Sequence, residues 1–230
     1  MPEELTQACG GHSSPVRRPA MVPYITQWSG EEVAPRPKMV MRRGRIAFAD
    51  ERPYDRDSRG VLWARTPCQP GKGRPQFGLV HPLRQRNAVE RLLCQVCGGP
   101  ADRDADGVLW LLTDEPTDEP TEEPGTPADA GSEDVVTEHP PLCLPCARIA
   151  VTACPRLRRD FTAVRVRALE QAGVRGALYR PAAPRPVPVD AVSVAFDDPV
   201  VDWVRAGKLL LRLTEFRPVS LDTAVPATGT

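Results

Sequence analysis

The chain has 230 residues, with 30 Lys and Arg against 30 Asp and Glu, 41% hydrophobic residues and 5% aromatic ones. This is the balance of a globular chain forming one domain or two small ones. Its 27 Pro and 17 Gly exclude a long coiled coil or an all-helical bundle, because Pro removes a backbone donor and clashes with the preceding helical turn. No run approaches the roughly 18 to 20 apolar residues of a membrane span. The opening MPEELTQACG carries acids where a secretory signal would be basic, and no apolar stretch follows it. The expectation is a cytoplasmic protein with no membrane partner.

Residues 1–20 are polar and Pro-rich and read as a flexible arm. Residues 38–49, KMVMRRGRIAFA, place apolar residues on both sides of Gly44 and predict a β-hairpin or two short strands. Residues 55–63 (DRDSRGVLW) and 102–110 (DRDADGVLW) are identical at seven of nine positions, each an Asp/Gly turn feeding a β-prone strand. Two copies do not make a solenoid, so they read as similar elements, neighbours in one sheet. The second copy matches half of a calcium loop in Asp102, Asp104 and Asp106. Its twelfth position is Thr113, where a bidentate Glu is required, so an Asp-Gly turn explains it better.

LRQRNAVERLL (83–93) has helical spacing, with Leu83, Ala88, Val89, Leu92 and Leu93 on one face. Beyond residue 146 the spacing suggests a short helix. FTAVRVRAL (161–169) and VDAVSVAF (189–196) read as strands. Asp198-Pro199 then has the form of an N-cap followed by Pro at the first helical position, predicting a helix over PVVDWVRAGKLLLRL. FRPVSL ends the folded part near residue 221, leaving 222–230 as a flexible tail. The sum is an α+β fold of antiparallel strands with few short helices, a single domain over 21–221.

The zero net charge hides an uneven distribution. Residues 113–138 hold ten acids and no base, and begin with the repeat TDEP-TDEP-TEEP. Pro at every fourth position and the lack of apolar residues predict a disordered acidic insertion. The remainder carries 30 bases against 20 acids, a body of about +10. Of the bases only Lys38, Lys72 and Lys208 are lysines, a bias that suits a high-GC coding composition. An insertion of this kind is either inert or a strap screening the basic body from polyanions.

Seven Cys is an odd number, and four of them form two C-x-x-C pairs, Cys94/Cys97 and Cys143/Cys146. In a reducing compartment such pairs indicate metal rather than disulfides. A tetrahedral Zn2+ takes four thiolates, and a two-residue spacing lets both sulfurs of a pair reach one ion across a tight turn. Gly98 and Gly99 supply the backbone freedom that the first knuckle needs. Between Cys97 and Cys143 lie 45 residues; without the 26-residue insertion 19 remain, a normal zinc-ribbon or treble-clef spacing. Cys9, Cys68 and Cys154 read as bystanders, with Cys154 or His139 as possible replacements for one ligand.

An HNH-type nuclease also carries paired C-x-x-C motifs, but places its histidines between them. Here only His12, His81 and His139 exist, and Ala147 follows Cys146. Arg148, Arg156, Arg158 and Arg159 follow the second knuckle. Either nearby cations such as Arg91, Arg148 and Arg156 neutralise the charge of the four thiolates, or these four arginines form an anion or nucleic-acid contact.

The segments CQVCGGPAD, GVLWLL, HPPLCLPCARIAV and CPRL, preceded by VPYITQWSGEE and YDRDSRGVLWAR, resemble an actinobacterial family of the Streptomyces type with two C-x-x-C knuckles. The resemblance spans most of residues 20–215 and implies zinc but no particular activity. No Ser-His-Asp set, phosphate loop or dinucleotide fingerprint is present. The reading is a zinc-stabilised, non-enzymatic module binding protein or nucleic acid through its basic body. The alternatives are an enzyme with purely structural zinc or a degenerate HNH-like nuclease.

Overall fold

The computed structural model describes residues 21–32, 35–113 and 134–221. The expected arm (1–20), the tail (222–230) and residues 114–133 of the acidic segment lie outside the described residues.

Strand β1 (Thr26–Trp28) is followed by β2 (Met39–Arg42) and β3 (Arg45–Phe48), which form the expected hairpin. Its two-residue loop puts Arg43 and Gly44 at φ 51° and 79°, the left-handed pair whose twist matches the flanking strands. Next come β4 (Leu62–Trp63), β5 (Pro75–Val80), helix α1 (Pro82–Glu90), β6 (Arg103–Asp104) and β7 (Gly107–Leu112). Beyond the acidic segment lie β8 (Val135–Thr137), helix α2 (Leu144–Ala153), β9 (Thr162–Arg180), β10 (Val187–Ala195) and β11 (Val204–Pro218). The described chain is mixed α/β, mostly strand, with two α-helices.

Seven strands make one sheet in the order β4-β11-β9-β7-β6, with β10 also on β9 and β8 on β11. Only the β4–β11 pairing is parallel. The two DRD copies do both feed this sheet, but β11 and β9 separate their strands, so they are not neighbours.

Strand β7 divides two cores. Val108 and Trp110 face the larger one, with Val164, Val166, Leu209, Leu211 and Leu213. Leu109 and Leu111 face a second, shared with Cys94, Leu142, Leu144, Cys146 and Ala147. A third cluster of Met39, Ile46, Phe48, Leu62 and Tyr179 packs the β2–β3 hairpin against the sheet.

Three further expectations require correction. Asp198 caps a turn, its Oδ1 accepting the Val200 N–H at 2.8 Å, but that turn is a 3-10 helix over Pro199–Trp203 and the chain then extends into β11. Leu209, Leu210, Leu211 and Leu213 are all buried. A strand covered on both faces reads as a continuous apolar run, which periodicity does not separate from a helix.

Helix α1 buries part of the expected face, Ala88 and Val89 with Leu92 packed on the core, but Leu83 is 54% exposed and the polar Arg84 and Gln85 are buried instead. The Gln85 amide donates to the carbonyls of Glu138 (2.8 Å) and Leu209 (2.9 Å) and accepts the Leu209 N–H at 2.9 Å, tying α1 to β11.

Finally, the last residues of the 113–138 segment belong to the sheet. Val135–Thr137 pair with Leu213–Leu211, and the Glu138 carboxylate bonds Lys208 and sits 3.7 Å from Arg175. No helix among the described residues is long and apolar enough to cross a membrane.

Candidate metal centre

The first cysteine pair is set by how α1 ends. Leu92 takes φ 51°, and the N–H of Leu93 reaches back to the Ala88 carbonyl at 2.8 Å. This is a Schellman-type stop with leucine in the position that glycine usually fills. The chain reverses at once and delivers Cys94 into the second core. A tight turn follows: the Gly98 N–H donates to the Cys94 carbonyl at 2.8 Å, and the Cys94 N–H to the Gly99 carbonyl at 2.7 Å. Gly98 adopts φ 73°, and a Cβ there would lie 2.9 Å from the Tyr24 ring. The Tyr24 N–H in turn donates to Val96 at 2.8 Å, so the N-terminal segment clamps the knuckle.

The second pair is aligned by backbone bonds to the first knuckle and to β7. The Gln95 N–H donates to Pro141 (3.0 Å), the Leu142 N–H to Leu109 (3.0 Å), and the Asp102 N–H to Leu142 (2.9 Å). Cys143 is the N-cap of α2 and Cys146 lies in its first turn. That end of a helix carries a partial positive charge and favours thiolates.

These two arrangements converge. The Sγ atoms of Cys94, Cys97, Cys143 and Cys146 all lie within 4.8 Å of one another, with Cys97 and Cys143 3.8 Å apart. Cys94 and Cys146 are buried, Cys143 is half-buried and Cys97 is exposed. Burial pushes the Cys143 thiol up to about 11. It also pushes Cys146 well above the ordinary thiol range, with the Cys143 thiol adding to the rise. At Cys97 burial acts in the same direction, but the Gly99 backbone N–H and the neighbouring thiols outweigh it and hold the group below its usual value. Clustered thiols resist joint ionisation, and a cation at their centre reverses that preference. Four sulfurs at this spacing can hold one metal ion.

Neither proposed substitute joins them: among the described residues, Cys154 and His139 lie outside the group. The His139 carbonyl instead accepts the Trp110 indole N–H at 2.9 Å. Cys9 and His12 lie outside the described residues. Of the four arginines after the knuckle, Arg148 donates through Nε and Nη2 to the Leu221 carbonyl at 3.1 and 2.9 Å. Its guanidinium anchors the end of the described chain. Arg156, Arg158 and Arg159 are exposed in the turn after α2.

The half-calcium loop is closed by guanidinium groups. Arg165 sits 2.5 Å from Asp102 and 3.1 Å from Asp104, and Asp106 pairs with Arg167 and Arg217.

A second group of ligand-type side chains, Glu31, Cys68 and His81, also lies within 4.8 Å. Arg84 already serves as its cation. Nη1 and Nη2 clamp the two Glu31 oxygens at 2.6 and 2.8 Å, and Nη1 is 3.5 Å from Cys68 Sγ. The N–H groups of Trp28 and Gln69 each add a bond of 2.8 Å to Glu31. Burial raises the Glu31 pKa, but Arg84 and these amides outweigh it and hold it at about 2. His81 is fully buried, and burial pushes its pKa down, so the ring is neutral. Its Nδ1 accepts the Arg84 N–H at 3.3 Å, leaving Nε2 to donate to Pro67 at 3.1 Å. Sequence reasoning missed this cluster. Its one local signal is Pro82 after His81, the mark of an N-cap.

No protein-family model, curated protein or solved structure matches the chain, so what the site does is read from its own geometry.

Proposed function

We propose that Cys94, Cys97, Cys143 and Cys146 hold one structural Zn2+, and that the chain is a non-enzymatic binding module for an anionic partner. The carrying observation is the convergence of four thiols within 4.8 Å from two segments far apart in sequence. Four thiolates fill a tetrahedral Zn2+ and leave no open position for water or substrate, the mark of a structural site rather than a hydrolytic one. The order of parts supports a treble-clef-like arrangement: a knuckle after α1, the β6–β7 hairpin, then a second pair opening α2. The ion would cross-link the knuckle after α1 to the start of α2.

The partner reading rests on charge. Outside residues 113–138 the chain carries 30 bases against 20 acids, an excess that favours nucleic acid or an acidic protein surface. The test is binding of the zinc-loaded protein to a short labelled oligonucleotide and to heparin across a salt series. Retention that weakens steadily with salt supports the reading. No binding to either at low salt overturns its nucleic-acid form.

A further inference from the structure

Away from the cysteines, a groove of about 820 Å³ opens between the β2–β3 hairpin, the segment after β4, and the β9–β10 turn. Its floor holds the buried Phe48 and Tyr179. The charged groups on its walls sort into two sets. Glu31 is neutralised by Arg84, and Arg65 by Asp55 and Asp50 at 2.6 and 3.0 Å. Arg36, Lys38, Arg185 and Arg205 form no ion pair with any described residue, and they face only one carboxylate that is likewise unpaired, Glu32.

Arg205 is held from behind by the Tyr179 ring, 5.8 Å from its centroid, and its Nε is shielded from solvent with no acceptor among the described residues. A shielded donor without a partner is costly, and a ligand oxygen removes that cost. Four cations converging on a concave site also repel one another unless an anion joins them. Guanidinium groups suit phosphate oxygens, which they bond in pairs. The groove lies within the range of about 300 to 1,000 Å³ typical of small-ligand sites.

We infer that this groove is a binding site for phosphate groups in series, with Arg36, Lys38, Arg185 and Arg205 as its contacts and Glu32 as a repulsive limit on affinity. The inference rests on the anionic-partner reading and assigns it a place. The phosphates come either from a small polyphosphate or from a nucleic-acid backbone, and the two sources are separable.

The experiment measures binding of inorganic tripolyphosphate by calorimetry and of a single-stranded oligonucleotide by anisotropy, both with the full zinc-loaded chain. Arg36 and Arg185 are exposed, so R36E/R185E tests the site without removing a structural contact. The expected result is a loss of about tenfold or more in tripolyphosphate affinity, since each 1.4 kcal/mol corresponds to one factor of ten. R205A should weaken it similarly, and E32Q should strengthen it a few-fold. Tripolyphosphate binding that R36E/R185E leaves unchanged, or no binding by the wild type, overturns the inference. Oligonucleotide binding insensitive to variants that abolish tripolyphosphate binding supports the groove as a small-ligand site and places the nucleic-acid contact elsewhere. Tripolyphosphate binding lost in R36E/R185E, with no oligonucleotide binding, supports the groove and assigns it to a small ligand.

Discussion

The Sγ atoms of Cys97 and Cys143 lie 3.8 Å apart although 46 positions separate the two residues. Zinc–sulfur bonds of about 2.3 Å in a regular tetrahedron give sulfur–sulfur edges of about 3.8 Å. One knuckle is delivered by the stop of α1 and the other by the start of α2, so the edge joins two elements far apart in sequence. Replacing Cys143 by Ser should therefore remove the metal and lower the melting temperature by about 10 °C or more, while C154S retains the metal. Metal content and thermal denaturation of the two variants, side by side, check this.

The knuckle's geometry makes a narrower prediction. Gly98 has φ 73° and Tyr24 packs against it, so Gly98→Ala combines a left-handed backbone, costing about 1 to 2 kcal/mol, with a clash at 2.9 Å. At Gly99 a Cβ meets only Cys97 Sγ, at an ordinary 3.5 Å. Urea unfolding should show Gly98→Ala destabilised by about 2 kcal/mol and Gly99→Ala by well under half of that.

The four-cysteine cluster was legible in the sequence because C-x-x-C spacing is local chemistry that survives any fold. The β2–β3 hairpin was legible for the same reason, Gly44 marking its loop. What could not be read was decided by tertiary burial. Leu209, Leu210 and Leu211 spell a helix or a strand equally well, and only the pairing with β9 and β8 makes them a strand. Arg84 and Gln85 look like a solvated face, yet one closes on Glu31 and the other on the β11 backbone. Polar residues that find their partners inside the protein leave no compositional trace.

The Glu31–Arg84 pair has a defined pH signature. Glu31 is held at about 2 in the folded protein against an ordinary 4.5, so it contributes stability that is fully present above pH 4.5 and is lost as pH falls toward 2. Glu31→Gln leaves the Arg84 guanidinium buried without its counter-charge, at a cost of about 3 to 5 kcal/mol at neutral pH. Denaturant midpoints of wild type and E31Q should differ widely at pH 7 and converge as pH drops below 4.5. Acid release of metal affects both proteins alike, so the difference isolates this pair. A gap independent of pH would contradict the assignment.

The acidic segment is testable once its boundary is drawn correctly. Residues 135–138 belong to the sheet and to the Lys208 contact, so the deletion must remove only 114–133. That removes eight acids and leaves both cysteine pairs intact. If the segment screens the basic body, its loss should raise heparin affinity and steepen the salt dependence, by about 0.9 in slope for each added duplex phosphate contact. Metal content should not change. Identical affinity and slope in the two proteins would show that the segment is inert.

Zinc content of the chain purified without chelator tests the role of the four cysteines most directly. Elemental analysis should give about one zinc per chain, bound by Cys94, Cys97, Cys143 and Cys146. Well under one zinc per folded chain, unchanged after incubation with excess Zn2+ at neutral pH, would contradict a structural four-thiolate site.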